Sequence, residues 1–153
     1  MKMNTKQHSV LCLALIATIA VFSACAQTTE QKSDIDKLIG NWSGQSTCVN
    51  KEKFPACNDE KVVYQITKVA NKPGTVNLSA DRITDGKPVF MGAFDFTYDA
   101  DKKLLTSEFK NERVHLSLEF VVKDEVLEGG IYSLPDRIQS RSIKVKKDKD
   151  PKP

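Results

Sequence analysis

The sequence predicts an all-β domain, an antiparallel eight-stranded meander closed into a barrel, with a short helical turn ahead of the first strand. Three observations carry this. From Lys37 onward apolar and polar residues alternate with a period of two, the pattern of half-buried strands. Turn-forming clusters such as Asn71-Lys72-Pro73-Gly74 and Asp85-Gly86 interrupt the alternation at short intervals. Eight such segments fit within about 110 residues, enough strands to close without leaving a sheet edge. A two-sheet sandwich is the alternative that the same pattern allows. With 40% apolar and 28% charged residues, the 153-residue chain is too apolar and too evenly charged to be disordered.

Ser33 precedes Asp34-Ile35-Asp36-Lys37-Leu38-Ile39, a polar cap followed by acidic residues and by apolar residues at 35, 38 and 39. This predicts a short capped helical turn across one end of the sheet. Gly40–Thr47 is the first strand, and Lys61–Val69 the second, with Val62, Tyr64 and Ile66 on one face. Pro73 presets φ and Gly74 admits positive φ, so the chain turns there into Thr75–Arg82. In that strand Val76, Leu78 and Ala80 alternate with Asn77, Ser79 and Asp81. Asp85-Gly86 makes a hairpin turn into Pro88–Tyr98, where Phe90, Phe94, Phe96 and Tyr98 are assigned to one face around Gly92. A polar turn at 98–102 leads to Lys103–Lys110. After Asn111 comes the cleanest alternation, with Val114, Leu116, Leu118 and Phe120 inward against His115, Ser117 and Glu119 outward. Lys123-Asp124-Glu125 turns into Val126–Ser133, in which Gly129-Gly130 marks a bulge or barrel bend. Leu134-Pro135-Asp136 leads to the last strand, Arg137–Lys146.

Leu38-Ile39-Gly40-Asn41-Trp42 resembles the G-x-W motif with which lipocalins and related calycin barrels enter their first strand from a short helix. The resemblance rests on that motif and on eight strands over residues 33–146. It implies that Gly40 and Trp42 are structural, with Trp42 packed at the closed end of the barrel. A late arginine, Arg137 or Arg141, would lie across its ring, a cation–π contact worth roughly 0.5–2 kcal/mol. By analogy it also implies a cavity for a small apolar ligand.

The first residues carry only positive charge, Lys2 and Lys6, followed by a thirteen-residue apolar run from Val10 to Phe22 and the small residues Ser23-Ala24-Cys25-Ala26. This is the layout of a signal peptide. The run is shorter than the roughly 20 residues of a membrane-spanning helix. Two processing sites overlap. Phe22-Ser23-Ala24-Cys25 resembles the lipobox of bacterial lipoproteins and would make residues 1–24 the leader, with Cys25 lipidated. Ala24-Cys25-Ala26 equally fits an ordinary signal-peptidase site that removes 1–26. Residues 27–36 are then a polar linker and the start of the helical turn, 37–146 the barrel, and 147–153 a Lys-rich flexible tail. The predicted location is the bacterial cell envelope: periplasmic, secreted or lipid-anchored.

Of 23 basic residues the leader removes Lys2 and Lys6, which leaves 21 against 20 acidic ones. A near-neutral exported domain is not expected to bind nucleic acid, and its contact with a membrane is expected only through a lipid anchor. Export also fits the cysteines. Cys12 and Cys25 fall in the leader and at its cleavage site, so the domain keeps Cys48 and Cys57, which are expected to pair.

Enzymatic chemistry finds little support. His115 is the one histidine beyond the leader, and its neighbours send it outward, so neither a nucleophile–histidine pair nor a metal centre is expected. Asp95, Glu108 and Glu119 read as outward charges. No catalytic residue and no cofactor is assigned. Two features remain as candidate sites. The aromatic stripe Phe90, Phe94, Phe96 and Tyr98 is either core or the wall of a pocket for a small apolar ligand. The Cys48–Cys57 connection is longer than the roughly two to five residues a hairpin needs. Its Lys51, Lys53, Phe54 and Pro55 would serve either as a lid or as a rigid loop offered to an exported protein partner, an inhibitor-like role. The bland alternative is a stapled surface loop with Phe54 packed on the rim.

Overall fold

Eight antiparallel strands, each paired with the next and the last with the first, close a barrel in the computed structural model, which describes residues 34–149. A helical turn, α1, spans residues 34–38. The strands are β1 (Gly40–Cys48), β2 (Glu60–Lys68), β3 (Thr75–Thr84), β4 (Lys87–Asp99), β5 (Leu104–Lys110), β6 (His115–Lys123), β7 (Val126–Ser133) and β8 (Ile138–Lys147). Closure runs through β1 and β8, from Trp42 opposite Lys147 to Cys48 opposite Arg141, which excludes the sandwich. The leader, Cys25, the linker to residue 33 and the tail from residue 150 lie outside the described residues.

Up-and-down connectivity sorts the loops into two ends. α1 and the β2–β3, β4–β5 and β6–β7 turns lie at one end, the base. The β1–β2 loop and the β3–β4, β5–β6 and β7–β8 turns lie at the other, the mouth. The β3–β4 turn is as tight as Asp85-Gly86 predicts, because both residues take positive φ, at 52° and 74°.

The base is filled. Trp42, Val76, Phe96, Leu105, Leu127 and Val145 are wholly buried, with Ile35 and Leu38 of α1 packed into the same core. Burial of side chains of this size contributes roughly 1.5–3 kcal/mol each. Trp42 Nε1 donates to the Leu38 carbonyl at 2.9 Å, so the tryptophan both fills the base and ties α1 to β1. At Gly129 a Cβ would overlap the Glu119 carbonyl and fall 2.8 Å from Phe120 Cα, which explains why β6 and β7 can approach so closely there. The β7–β8 register then shifts between Ile131 and Tyr132, beside the glycine pair.

Several expectations need correction. Phe90 does not share a face with Phe94 and Phe96. Ala80 pairs with Gly92 while Asp81 pairs with Phe90, so Met91 is an inserted residue, and the bulge turns Phe90 outward to 66% exposure. Val114 is not inward. It lies in the turn before β6, where Asn111 Oδ1 accepts from the Arg113 and Val114 amides. Neither Arg137 nor Arg141 lies over Trp42, because β8 runs from mouth to base and only its last residues reach that level. Lys147, the direct strand partner of Trp42, holds its Nζ 5.9 Å from the ring centroid and donates to the Lys37 carbonyl at 2.6 Å. Lys147 therefore belongs to β8 rather than to a tail, and residue 37 lies inside α1 rather than at the start of the barrel.

Candidate functional site: the barrel mouth

Above the filled base the inward-facing positions divide into two walls. One wall is apolar. Phe94 of β4, Phe109 of β5, Leu116 of β6 and Ile131 of β7 pack on the upper side of the core, with the two phenylalanine rings edge-to-face at 5.7 Å. The strands beneath them are parted. β4 and β5 pair only from Thr97 to Asp99 against Leu104 to Thr106, so towards the mouth the two strands diverge and the Phe94–Phe109 contact bridges the slot.

The opposite wall is polar. Ser46 of β1, Glu60 of β2, Arg82 of β3 and Arg141 of β8 occupy inward registers beside or above Val62 and Ile143. Arg141 Nη1 donates to Ser46 Oγ at 2.9 Å and lies 3.1 Å from Glu60 Oε2. Arg82 Nη1 stands 3.6 Å from the other carboxylate oxygen. Both Arg141 and Glu60 side chains are 19% exposed, and Arg82 is 48% exposed. Tyr64, one inward step below Val62, is buried. Desolvation holds its phenol far above the ordinary tyrosine value, with Arg141 opposing and Glu60 reinforcing the shift, so the phenol stays neutral.

The Cys48–Cys57 disulfide is present and its loop borders this mouth. The Cys48 amide donates to Asp59 Oδ1 at 2.8 Å, and the Val49 amide to the Ser140 carbonyl at 3.2 Å. Lys51, Lys53 and Pro55 are exposed, whereas Phe54 is half-buried, with its amide bonded to the Asn50 carbonyl. The two candidate regions read separately from the sequence thus share one end of the barrel.

The aromatic stripe is divided between roles. Phe96 and Tyr98 belong to the buried core, Phe94 to the mouth wall and Phe90 to the outer surface. Ser46, Glu60, Arg82 and Phe109 were not singled out by the sequence. Their signal was register: Glu60 and Arg82 continue the inward rows Val62-Tyr64-Ile66 and Val76-Leu78-Ala80, so the pleat points a charge into the barrel.

The outward acids each have their own partner and do not form a pair. Asp95 accepts from Asn77 and Lys72, and Glu119 takes Arg137 bidentately at 2.6 and 2.8 Å. Arg137 also lies 4.7 Å over the Tyr132 ring. Glu108 Oε1 lies 2.6 Å from His115 Nε2. Glu128 bridges Lys123 and Lys144, and those two hydrogen bonds lower its pKa to about 2. Hydrogen bonds from Asn77, Lys102 and Arg137 lower those of Asp95, Asp99 and Glu119 respectively. A carboxylate depressed in the folded state stabilises it above the unfolded value and loses that contribution as pH falls through the folded one. The melting temperature should therefore fall as pH drops from about 5 to about 2, and Glu128→Gln should flatten that fall. An unchanged acid slope in Glu128→Gln melting curves would show that the bridge contributes nothing to stability.

Among the described residues no group of three or more His, Cys, Asp or Glu could hold a metal ion. No protein-family model matches the chain, and no curated protein matches it in sequence.

Proposed function

We propose that the protein is a lipocalin-like binding module of the bacterial cell envelope that takes a small, largely apolar ligand through the barrel mouth. The observation that carries this is the gradient of burial along the barrel axis. Trp42, Val76, Phe96, Leu105, Leu127 and Val145 towards the base are wholly buried, while Phe94, Phe109, Leu116 and Ile131 near the mouth stay half-exposed beside a strand pair that parts. Pockets for small molecules are mostly apolar walls with a few placed polar groups, the composition of this rim. The charged leader, the Cys25 processing site and the disulfide support an exported location. A disulfide-fixed loop with exposed Lys51, Lys53 and Pro55 supports a second reading, in which the same end docks an exported protein.

The test is saturable uptake of the neutral fluorophore N-phenylnaphthylamine, alongside native against denatured mass of protein purified from its host envelope. A one-to-one fluorescence rise, diminished when Phe109→Trp crowds the apolar wall, is expected. Absence of both probe uptake and mass loss would remove the ligand reading and leave the loop.

A further inference from the structure

We propose that the seam between β4 and β5 is a charge-held opening in the barrel wall. Asp95 and Glu108 oppose each other across it and keep the strands parted, and the seam closes when either carboxylate loses its charge. This device belongs to the wall and operates whether or not the mouth takes a ligand.

β4 and β5 share three paired residues, whereas every other seam of the barrel holds seven or more. The place where the ladder stops points to the cause. The Tyr98 amide donates to the Gly74 carbonyl at 2.8 Å, so its backbone faces β3, and by alternation Thr97, Asp95 and Ala93 turn theirs towards β5. On the other strand the Lys103 carbonyl accepts from the Val122 amide and the Asn111 amide donates to the Val114 carbonyl. Those residues face β6, so Thr106, Glu108 and Lys110 turn their backbone towards β4. Thr97 and Thr106 are the last pair. The first rung missing beyond them is the one that would join Asp95 to Glu108.

The strands have splayed without slipping. Phe94 and Phe109 are partners in the continued register, and their rings meet inside the barrel at 5.7 Å. The inner side of the seam is therefore in place, and the parting lies in the backbone and the outer side. A closed rung would set the Asp95 and Glu108 Cβ atoms roughly 5 Å apart on the outer face, a like-charge pair. Each acid instead takes a partner on the side away from the seam. Asp95 accepts from Asn77 of β3 at 2.9 Å and from Lys72 of the β2–β3 turn at 3.0 Å, hydrogen bonds that hold its carboxyl below the ordinary aspartate range. Glu108 Oε1 lies 2.6 Å from His115 Nε2 of β6, and Ser117 of β6 stands directly opposite Glu108. Lys110, the next outward residue of β5, would meet Ala93 in the continued register. Water satisfies the backbone groups of an open rung, so its two hydrogen bonds gain little on closing, and a single charge can decide between the two states. Because Phe94 and Phe109 line the mouth, the state of the seam sets the width of that wall.

The test is amide hydrogen exchange by NMR at neutral pH, read at Asp95 while residue 108 is changed and at Glu108 while residue 95 is changed. In the wild-type chain both amides should exchange as open groups, while those of Thr97 and Thr106 are protected. Glu108→Gln should slow exchange at Asp95 about tenfold, and Glu108→Lys should slow it further by setting opposite charges across the rung. Glu108→Asp keeps the repulsion and should leave Asp95 open. Asp95→Asn should protect Glu108 in the same way, so the result does not depend on one variant folding, and the Thr97 and Thr106 amides report that the barrel is intact. Protection of Asp95 already in the wild type would overturn the proposal. So would an open Asp95 in both Glu108→Gln and Glu108→Lys, or equal protection in Glu108→Asp and Glu108→Lys, which would assign the parting to side-chain shape instead of charge.

Discussion

Trp42→Ala will destabilise the fold by roughly 3–5 kcal/mol, the range for deleting a large aromatic side chain from a packed interior. Trp42 is wholly buried, and three contacts converge on it. Its ring fills the base among the core side chains, its Nε1 holds the Leu38 carbonyl, and Lys147 stands over its face. Alanine removes all three and also frees α1, whose Ile35 and Leu38 are packed into the same base. Because ~1 kcal/mol shifts a domain of this size by about 4 °C, the melting temperature should drop by about 12–20 °C. Trp42→Phe separates the contributions. It keeps an aromatic ring and loses the Leu38 hydrogen bond, so a cost of about 1–2 kcal/mol is expected. Phe90→Ala is the surface control and should stay within about 0.5 kcal/mol, since Phe90 is largely exposed. A Trp42→Ala shift no larger than the Phe90→Ala shift would mean that the base is closed by something other than the tryptophan.

Strand order and turn positions were legible because they depend on local pattern. Alternation places Val62, Tyr64 and Ile66 or Leu118 and Phe120 on one face whatever lies opposite, and Asp85-Gly86 supplies the positive φ that a two-residue hairpin needs. Register irregularities were not legible. The inserted Met91 depends on how β4 meets β3, and nothing in Val89-Phe90-Met91-Gly92 alone says which residue the partner strand will skip. The same limit hid the cation over Trp42. Its identity follows from the β1–β8 pairing, a contact between residues about a hundred positions apart, and that pairing selects Lys147 over either arginine. The mouth was half legible. The disulfide and the Phe94 wall came from residue type, whereas Glu60 and Arg82 of the β2–β3 pair meet Arg141 because barrel closure brings β8, distant in the chain, beside β1.

Replacing Cys48 and Cys57 together by serine will cost about 3 kcal/mol, the loop-closure entropy of a ten-residue ring, and lower the melting temperature by about 10 °C. Serine keeps the side chains small, so the loss should come chiefly from the freed unfolded chain. The folded loop has other anchors: the Cys48 amide on Asp59 Oδ1, the Val49 amide on the Ser140 carbonyl, and the Phe54 amide on the Asn50 carbonyl. These exist in the folded state alone and cannot restrict the unfolded ensemble, which is why they do not substitute for the covalent link. Wild-type protein melted in reductant should coincide with the double variant. If the double variant instead melts within about 2 °C of wild type, the anchors already define the loop and the disulfide adds little to equilibrium stability. The loop's place at the mouth makes a second readout available from the same protein. A loop that frames the mouth should, once opened, change how fast N-phenylnaphthylamine enters and leaves more than how tightly it binds, because the walls formed by Phe94, Phe109 and Leu116 stand on other strands. Unchanged exchange rates beside a lowered melting temperature would assign the loop to stability and leave the strands alone to govern access.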